Sequence, residues 1–178
     1  MRLETERLVL REPRLEDVDG LLETYGDPEV MRYIAGGDPW TRGRTLRALE
    51  RWLRYWDDDG FGLCVVEHAD GRLLGDCGLL PWDSRTWSTG SRKALGENAE
   101  VEIGWTLARS HWGCGYATEA GRAIVAWAFG ELGLSRLISL IQPGNDRSVR
   151  VATKLGERYD RDIVTAGGEQ AGLYVLER

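Results

Sequence analysis

A chain of 178 residues, 42% of them hydrophobic and 29% charged, suits one compact domain spanning 1–178 rather than two. A net charge of −6 disfavours nucleic acid as a partner. No apolar run approaches the roughly 20 residues of a membrane helix, and the charged opening Met1–Glu6 does not suit a secretory signal; the expectation is a soluble, cytoplasmic protein away from membranes. Cysteines at 64, 77 and 114 form no Cys-x-x-Cys pair, and with only His68 and His111 beside them no metal-ligand spacing arises, so no metal is expected.

Arg7–Arg11 alternates as a short strand with Leu8 and Leu10 on one face, and Pro13 ends it before the helical spacing of Leu15, Val18, Leu21 and Leu22. Asp27-Pro28 opens a short helical turn. After the Gly-Gly-Asp-Pro break at 36–39, Thr41 is placed to cap a helix with Leu46, Leu49, Leu53 and Trp56 on one stripe, ending at Asp57–Gly60. That acidic end reads as a solvated terminus. Phe61–Glu67 and Leu73–Leu80 read as a hairpin turning at Asp70-Gly71, and a two-residue turn there opposes Cys64 and Cys77, taken as reduced thiols.

The stretch 81–98, carrying Trp82, Arg85, Trp87, Arg92 and Lys93, is long for a loop and reads either as a selectivity element or as a plain surface excursion. Trp82 and Trp87 either wall an acceptor site or pack. Beyond it an alternating strand, Val101–Leu107, precedes a glycine loop, a helix from about Ala117 to Glu131 and an apolar strand, Arg136–Ile141: a βαβ crossover. Gly133 stops the helix. Gln142-Pro143-Gly144 then turns the chain, and Asn145 can cap a helix running through Ser148 to Leu155. Arg158–Thr165 and Ala171–Leu176 close the chain as a strand pair around Gly167-Gly168.

The most informative stretch is Trp112-Gly113-Cys114-Gly115-Tyr116-Ala117. Glycines without a Cβ allow close backbone approach, and the following helix offers unpaired N–H groups and a positive dipole end, which suits a diphosphate. Two glycines between strand and helix also make an ordinary tight turn. Since ligand crevices lie beyond the carboxyl ends of parallel strands, this loop and the Asn145 turn should border one cleft.

Trp-Gly-x-Gly-Tyr-Ala-Thr-Glu-Ala at 112–120, Asn145-x-x-Ser148, Lys154-Leu155-Gly156 and the opening Thr5-Glu6-Arg7-Leu8-x-Leu10-Arg11 together resemble the GNAT superfamily of N-acetyltransferases. The match is nearest its ribosomal-protein N-terminal acetyltransferase branch and spans the chain apart from 81–98. The resemblance implies an α/β fold of the α+β mixed-sheet kind: one domain with a central, mostly antiparallel sheet, a splayed parallel strand pair and flanking helices. It implies transfer of an acetyl group from acetyl-CoA to a primary amine, a protein N-terminus or a small molecule, by direct attack in a ternary complex. Dimerisation is common in such enzymes, so a homodimer is compatible with it.

The family's pyrophosphate loop, Gln/Arg-x-x-Gly-x-Gly/Ala, is matched by Gly115 and Ala117, with Trp112 at its first position. The resemblance assigns the diphosphate to backbone N–H groups of Gly113, Cys114, Gly115, Tyr116, Ala117 and Thr118, with Arg109 and His111 as candidates for added charge. Pantetheine would lie along Trp105, Thr106 and Leu107, between the two parallel strands, with an amide near Trp105 or Thr106 polarising the thioester. Asn145 would bond the pantetheine, cap its helix, or do both.

The amine must lose a proton, and Glu100 and Glu102 alternate onto one strand face, two residues apart. Glu102 is preferred because similar enzymes carry a carboxylate at its position. The family's usual tyrosine acid falls on Ala152, whereas in the nearest branch a serine three after the Asn serves, which points to Ser148. Cys114 has no base to activate it, so an acyl-cysteine intermediate is rejected. The alternative to an enzyme is a non-catalytic acyl-CoA-binding sensor, favoured only by the missing tyrosine.

Overall fold

The computed structural model describes residues 1–178. Eight strands form one sheet: β1 (Arg2–Glu4), β2 (Leu8–Arg11), β3 (Leu63–His68), β4 (Leu73–Asp83), β5 (Ala99–Leu107), β6 (Arg136–Ile141), β7 (Arg158–Val164) and β8 (Gln170–Glu177). They lie in the order β1-β2-β3-β4-β5-β6-β8-β7, and every neighbouring pair is antiparallel except β5–β6. The helices are α1 (Val18–Tyr25), α2 (Pro28–Met31), α3 (Arg42–Asp59), α4 (Arg92–Leu95), α5 (Tyr116–Gly130) and α6 (Asp146–Leu155). No helix is long and apolar enough to cross a membrane.

The two sheet faces bury different helices. Leu8, Leu10, Cys64, Cys77, Leu79, Val101, Ile103 and Leu137 pack against Ala120, Ile124 and Trp127 of α5. Leu63 and Val65 meet Val18, Leu21 and Tyr25 of α1 and Leu49 and Trp52 of α3 on the other face. Thr41 caps α3 through Arg44 N, as its position predicts, and Gly60 closes the helix in a left-handed conformation, φ +73°. Asp59, in the last turn of α3, also accepts from the amides of Arg92 and Lys93 and so caps α4.

The β3–β4 hairpin departs from the sequence reading in its turn. His68 pairs with Arg72 around a three-residue loop, and the extra residue is absorbed by a bulge opposite Val66/Glu67. Gly75 sits there at φ +141°, where a Cβ would lie 2.1 Å from the Thr106 carbonyl oxygen. The bulge restores the register, so Cys64 does oppose Cys77, both buried free thiols. Burial raises the thiol pKa of both.

The 81–98 stretch is not free-standing. β4 runs on to Asp83, which pairs with Ala99, and Trp82 bridges to Thr89. Trp87 is 8% exposed and packs with Ile138, Ile163, Ala171 and Leu173, forming a third core cluster over the β6–β8 part of the sheet. The segment is therefore anchored through a core tryptophan.

Candidate active site

The parallel pair meets at a single register position, Glu102 opposite Ile138, and then parts. A continued parallel ladder would next join the Leu140 N–H to the Ile103 carbonyl. Side chains take both groups instead. Leu140 N donates to Glu102 Oε1 at 3.3 Å, and the Ile103 oxygen lies 2.8 Å from Ser139 Oγ. An N–H and a C=O inside a protein need partners, so these two side chains are what allows the strands to separate there.

Strand alternation fixes which backbone groups face the opening. Ile103 turns its carbonyl toward β6, whereas Ala108 donates to Leu74 of β4. Trp105 therefore turns its N–H and C=O toward the gap, and Thr106 turns its own toward β4. Of the two amides considered from sequence, Trp105 has the required direction. Leu107 ends the strand, buried, with its carbonyl accepting from Trp112 Nε1 at 2.8 Å.

The glycine loop that follows has Gly113 at φ +78° and Gly115 at φ +84°, a left-handed pair with α5 starting one residue earlier than expected, at Tyr116. No side chain caps this helix, and its first intrahelical bond runs from Glu119 N to Gly115 O. The amides of Tyr116, Ala117 and Thr118 are thereby left to an external acceptor. Gly121 brings α6 close: a Cβ there would lie 2.8 Å from Leu155 Cδ1. Because α5 and α6 each follow a strand of the parallel pair, β5 and β6, their N-termini share one end of the sheet.

Charge near the loop comes from residues that spacing did not single out. The Arg147 guanidinium stacks 4.4 Å from the centre of the Trp112 ring, so the tryptophan at the motif's first position holds a cation from α6. Arg7 donates to the Cys114 carbonyl at 3.1 Å, stacks on Tyr116 and pairs with Glu119. Glu119 also accepts from Thr5 Oγ1 and from Arg7 N. The chain's opening residues therefore clamp the loop through Glu119. Arg109 lines an open cavity of about 440 Å³ with Glu23 and Asp27. His111, half-buried, is held below the ordinary imidazole range by burial and by Arg72 and His68.

Glu102 is half-buried, and its carboxyl is enclosed by Trp82, whose Nε1 donates to Oε2 at 2.6 Å, and by the Leu140 amide. Desolvation pushes it up to about 7, partly opposed by those two donors. A carboxyl titrating there is well matched to take a proton near neutral pH. Glu100 differs. Sequence spacing reads it as unpaired, but Arg136 Nε donates to it at 3.1 Å, and Arg136 also binds Glu177. The cation comes from β6, invisible in the local spacing, and it occupies the carboxylate a base would need free.

Asn145 caps α6, accepting from Ser148 N at 3.3 Å, so its capping role is realised. Ser148 is half-buried in the first turn of α6. Ala152 is fully buried and packs inward. Tyr33, in the loop after α2, donates to the Gly144 carbonyl at 3.0 Å and ties that loop to the turn before Asn145. Sequence reasoning passed over Tyr33, Arg147, Ser139 and Glu157; the visible trace of Ser139 was a single hydroxyl inside the apolar run Leu137–Ile141.

A family model described as an acetyltransferase (GNAT) domain matches residues 7–158. The chain belongs to the GNAT acetyltransferase family. An N-acetyltransferase p20 of Bacillus licheniformis, itself uncharacterised, is 31% identical over 98% of this chain and 93% of its own length. An Aspergillus fumigatus protein named FsC-acetyl coenzyme A-N(2)-transacetylase is 33% identical over 76% of this chain and 56% of its own length. The crystal structure of a GNAT-family acetyltransferase from Bacillus anthracis superposes with a TM-score of 0.79 over 99% of this chain and 98% of that one, at 26% identity. This GNAT chain is accordingly an enzyme of the acyltransferase class, and its mixed sheet with one parallel pair is the fold of its relatives.

Proposed function

We propose that the protein transfers an acetyl group from acetyl-CoA to a primary amine, with both substrates bound together. The observation that carries this reading is the uncapped α5 N-terminus standing beside a strand gap that begins at an enclosed carboxyl, Glu102. The amides of Gly113–Thr118 hold the diphosphate, with Arg147 above Trp112 adding charge, and the pantetheine bonds the open edges of β5 and β6. The acetyl coenzyme A in the name of the Aspergillus relative supports the same donor.

In the reaction the amine nitrogen attacks the thioester carbonyl carbon while the Trp105 N–H stabilises the oxyanion that forms. Ionised Glu102 takes the proton the nitrogen sheds, directly or through a water. The C–S bond then breaks, and the thiolate is protonated through the Ser148 hydroxyl, which draws its replacement proton from water. A free alkylammonium titrates near ~10, so the amine gives its first proton to solvent before it attacks, and Glu102, raised to about 7, takes the second as the N–C bond forms. The acceptor is a primary amine, either a protein N-terminus or a small molecule.

The first test is calorimetric titration with acetyl-CoA. Saturable binding that Gly115→Glu abolishes in a still-folded protein supports the cofactor site, and a panel of peptide N-termini, polyamines and aminoglycosides then reads CoA release. No binding, with no competition from free CoA, removes the reading. Tight binding without turnover on any amine turns it toward an acyl-CoA sensor, the reading that the apolar Ala152 favours.

A further inference from the structure

Glu157 is a buried acid that this mechanism does not use. It follows Gly156, whose left-handed φ of +97° ends α6, and its side chain turns inward to 4% exposure. Ser139 meets it from β6, on the strand face opposite Ile138 and Leu140. Ser139 Oγ lies 2.9 Å from Glu157 Oε1 and 2.8 Å from the Ile103 carbonyl oxygen. A hydroxyl has one proton to give. If Glu157 were ionised, both neighbours would be acceptors and one contact would set lone pair against lone pair.

The other carboxyl oxygen makes the same point. Glu157 Oε2 is buried with no hydrogen-bond partner, which an anion tolerates poorly. No cation answers it: Lys154 of α6, Arg158 of β7 and Arg122 of α5 are exposed, and Arg136 of β6 is engaged by Glu100 and by Glu177 of β8. The charged group acting on it is Glu102 of β5, a like charge. Burial and that neighbour push Glu157 up to about 7. Both Ser139 contacts are satisfied if Glu157 donates its proton to Ser139 Oγ and Ser139 donates to Ile103, and the unpartnered Oε2 is then a neutral carbonyl oxygen, which costs less to bury than an anion. Glu102, by contrast, receives two N–H donors, the environment of an anion.

We propose that Glu157 is held as the neutral acid in the working enzyme and is a positioning residue for Glu102: its proton keeps Ser139 on the Ile103 carbonyl, which leaves the Leu140 N–H to Glu102. The proposal rests on the reading of Glu102 as the base. Ionising Glu157 turns the Ser139 proton to the carboxylate and releases the Ile103 carbonyl. Leu140 can then complete the next ladder rung, shortening the gap and taking a donor from Glu102.

Carboxyl-¹³C-glutamate NMR on the whole protein reads this without any acceptor amine. Two resonances should remain protonated well above the ordinary glutamate range, one lost in Glu157→Gln and the other in Glu102→Gln, with the Glu157 signal titrating last. Ser139→Ala should raise the Glu102 midpoint by about half a unit, since one donor is lost. A Glu157 signal already ionised at pH 6, or a Glu102 midpoint indifferent to Ser139→Ala, overturns the proposal. In CoA-release assays Glu157→Leu should lower kcat about tenfold with little change in acetyl-CoA KM. Glu157→Gln, which still donates to Ser139, should restore it and remove the alkaline decline of the native enzyme. Equal rates for the Leu and Gln variants also overturn it. A protein that turns over no amine defeats the catalytic reading alone, because the NMR titrations still decide the state of Glu157 and its hold on Glu102.

Discussion

Trp82 Nε1 donates to Glu102 Oε2 across the β4–β5 ladder at 2.6 Å, two residues diagonal from direct register, where Trp82 opposes Glu100 and Leu80 opposes Glu102. The stretch 81–98 therefore begins by supplying a donor to the candidate base. The indole both shields the carboxyl from water and stabilises its ionised form, opposing effects that leave it near neutrality.

Glu102→Gln should lower turnover by about 100-fold or more while leaving acetyl-CoA affinity within about twofold. In the native enzyme kcat/KM should rise as pH passes about 7, because the base acts ionised and its pKa is raised to that value. Loss of this limb in Glu102→Gln, measured by CoA release across pH 5.5–9, checks the assignment; unchanged activity removes Glu102 from the mechanism.

Asp76 provides a separate test, of stability. It is 1% exposed, accepts from the Tyr25 hydroxyl at 2.7 Å, and is pushed up to about 7 by burial. An unfolded aspartate titrates near ~3.9, so between about pH 4 and 7 the folded chain holds a proton the unfolded chain has lost. The sign follows: stability from this group is full below about pH 4, declines as pH rises, and levels above about 7. Asp76→Asn should flatten that decline, gaining on the order of 1–3 kcal/mol at pH 8 and little at pH 4. Urea unfolding at the two pH values measures it, and a loss at pH 8 would mean the native carboxylate is ionised and stabilising.

Trp87→Ala should destabilise the fold by about 3–4 kcal/mol, as for a core aromatic, because Trp87 packs on Ile138 and Leu173. A surface loop residue would cost within about 0.5 kcal/mol. Thermal unfolding distinguishes the two.

Two substitutions separate the loop's clamp from its charge. Glu119→Gln weakens the hold on Arg7 and Thr5 and should raise the acetyl-CoA Kd several-fold at every ionic strength. Arg147→Ala removes the exposed cation over Trp112, and its penalty, roughly tenfold at low salt, should shrink as salt rises. Calorimetry at two salt concentrations reads both; an Arg147 penalty independent of salt would assign the residue to packing.

Much of the fold was legible because its signals are local. Thr41, Asn145, Gly60 and Gly115 mark helix ends through their own chemistry, and the alternation of Val101–Leu107 is a property of one strand. The Cys64–Cys77 register was legible too, though for a reason the turn did not show: the bulge at Gly75 undoes the shift introduced by a three-residue loop. β1, three residues long, gave no periodicity to read and forms by pairing with β2. Of the candidate site, the glycine loop and the strand position of Glu102 can be read from neighbouring residues, whereas a partner that comes from elsewhere, as Arg136 does for Glu100, cannot.

The sequence by itself determined the order of elements, the glycine loop before a helix and the carboxylates of one strand face, since each depends on residues within a turn or two of one another. Only the tertiary structure decided which of those carboxylates is free. That choice depends on contacts between distant strands: Arg136 neutralises Glu100, while Trp82 and Leu140 enclose Glu102, and Ser139 and Glu157 close the Ile103 carbonyl behind it. Desolvation and hydrogen bonding set a carboxyl's pKa through everything that surrounds it, and the surroundings exist only once β5 and β6 have come together and parted.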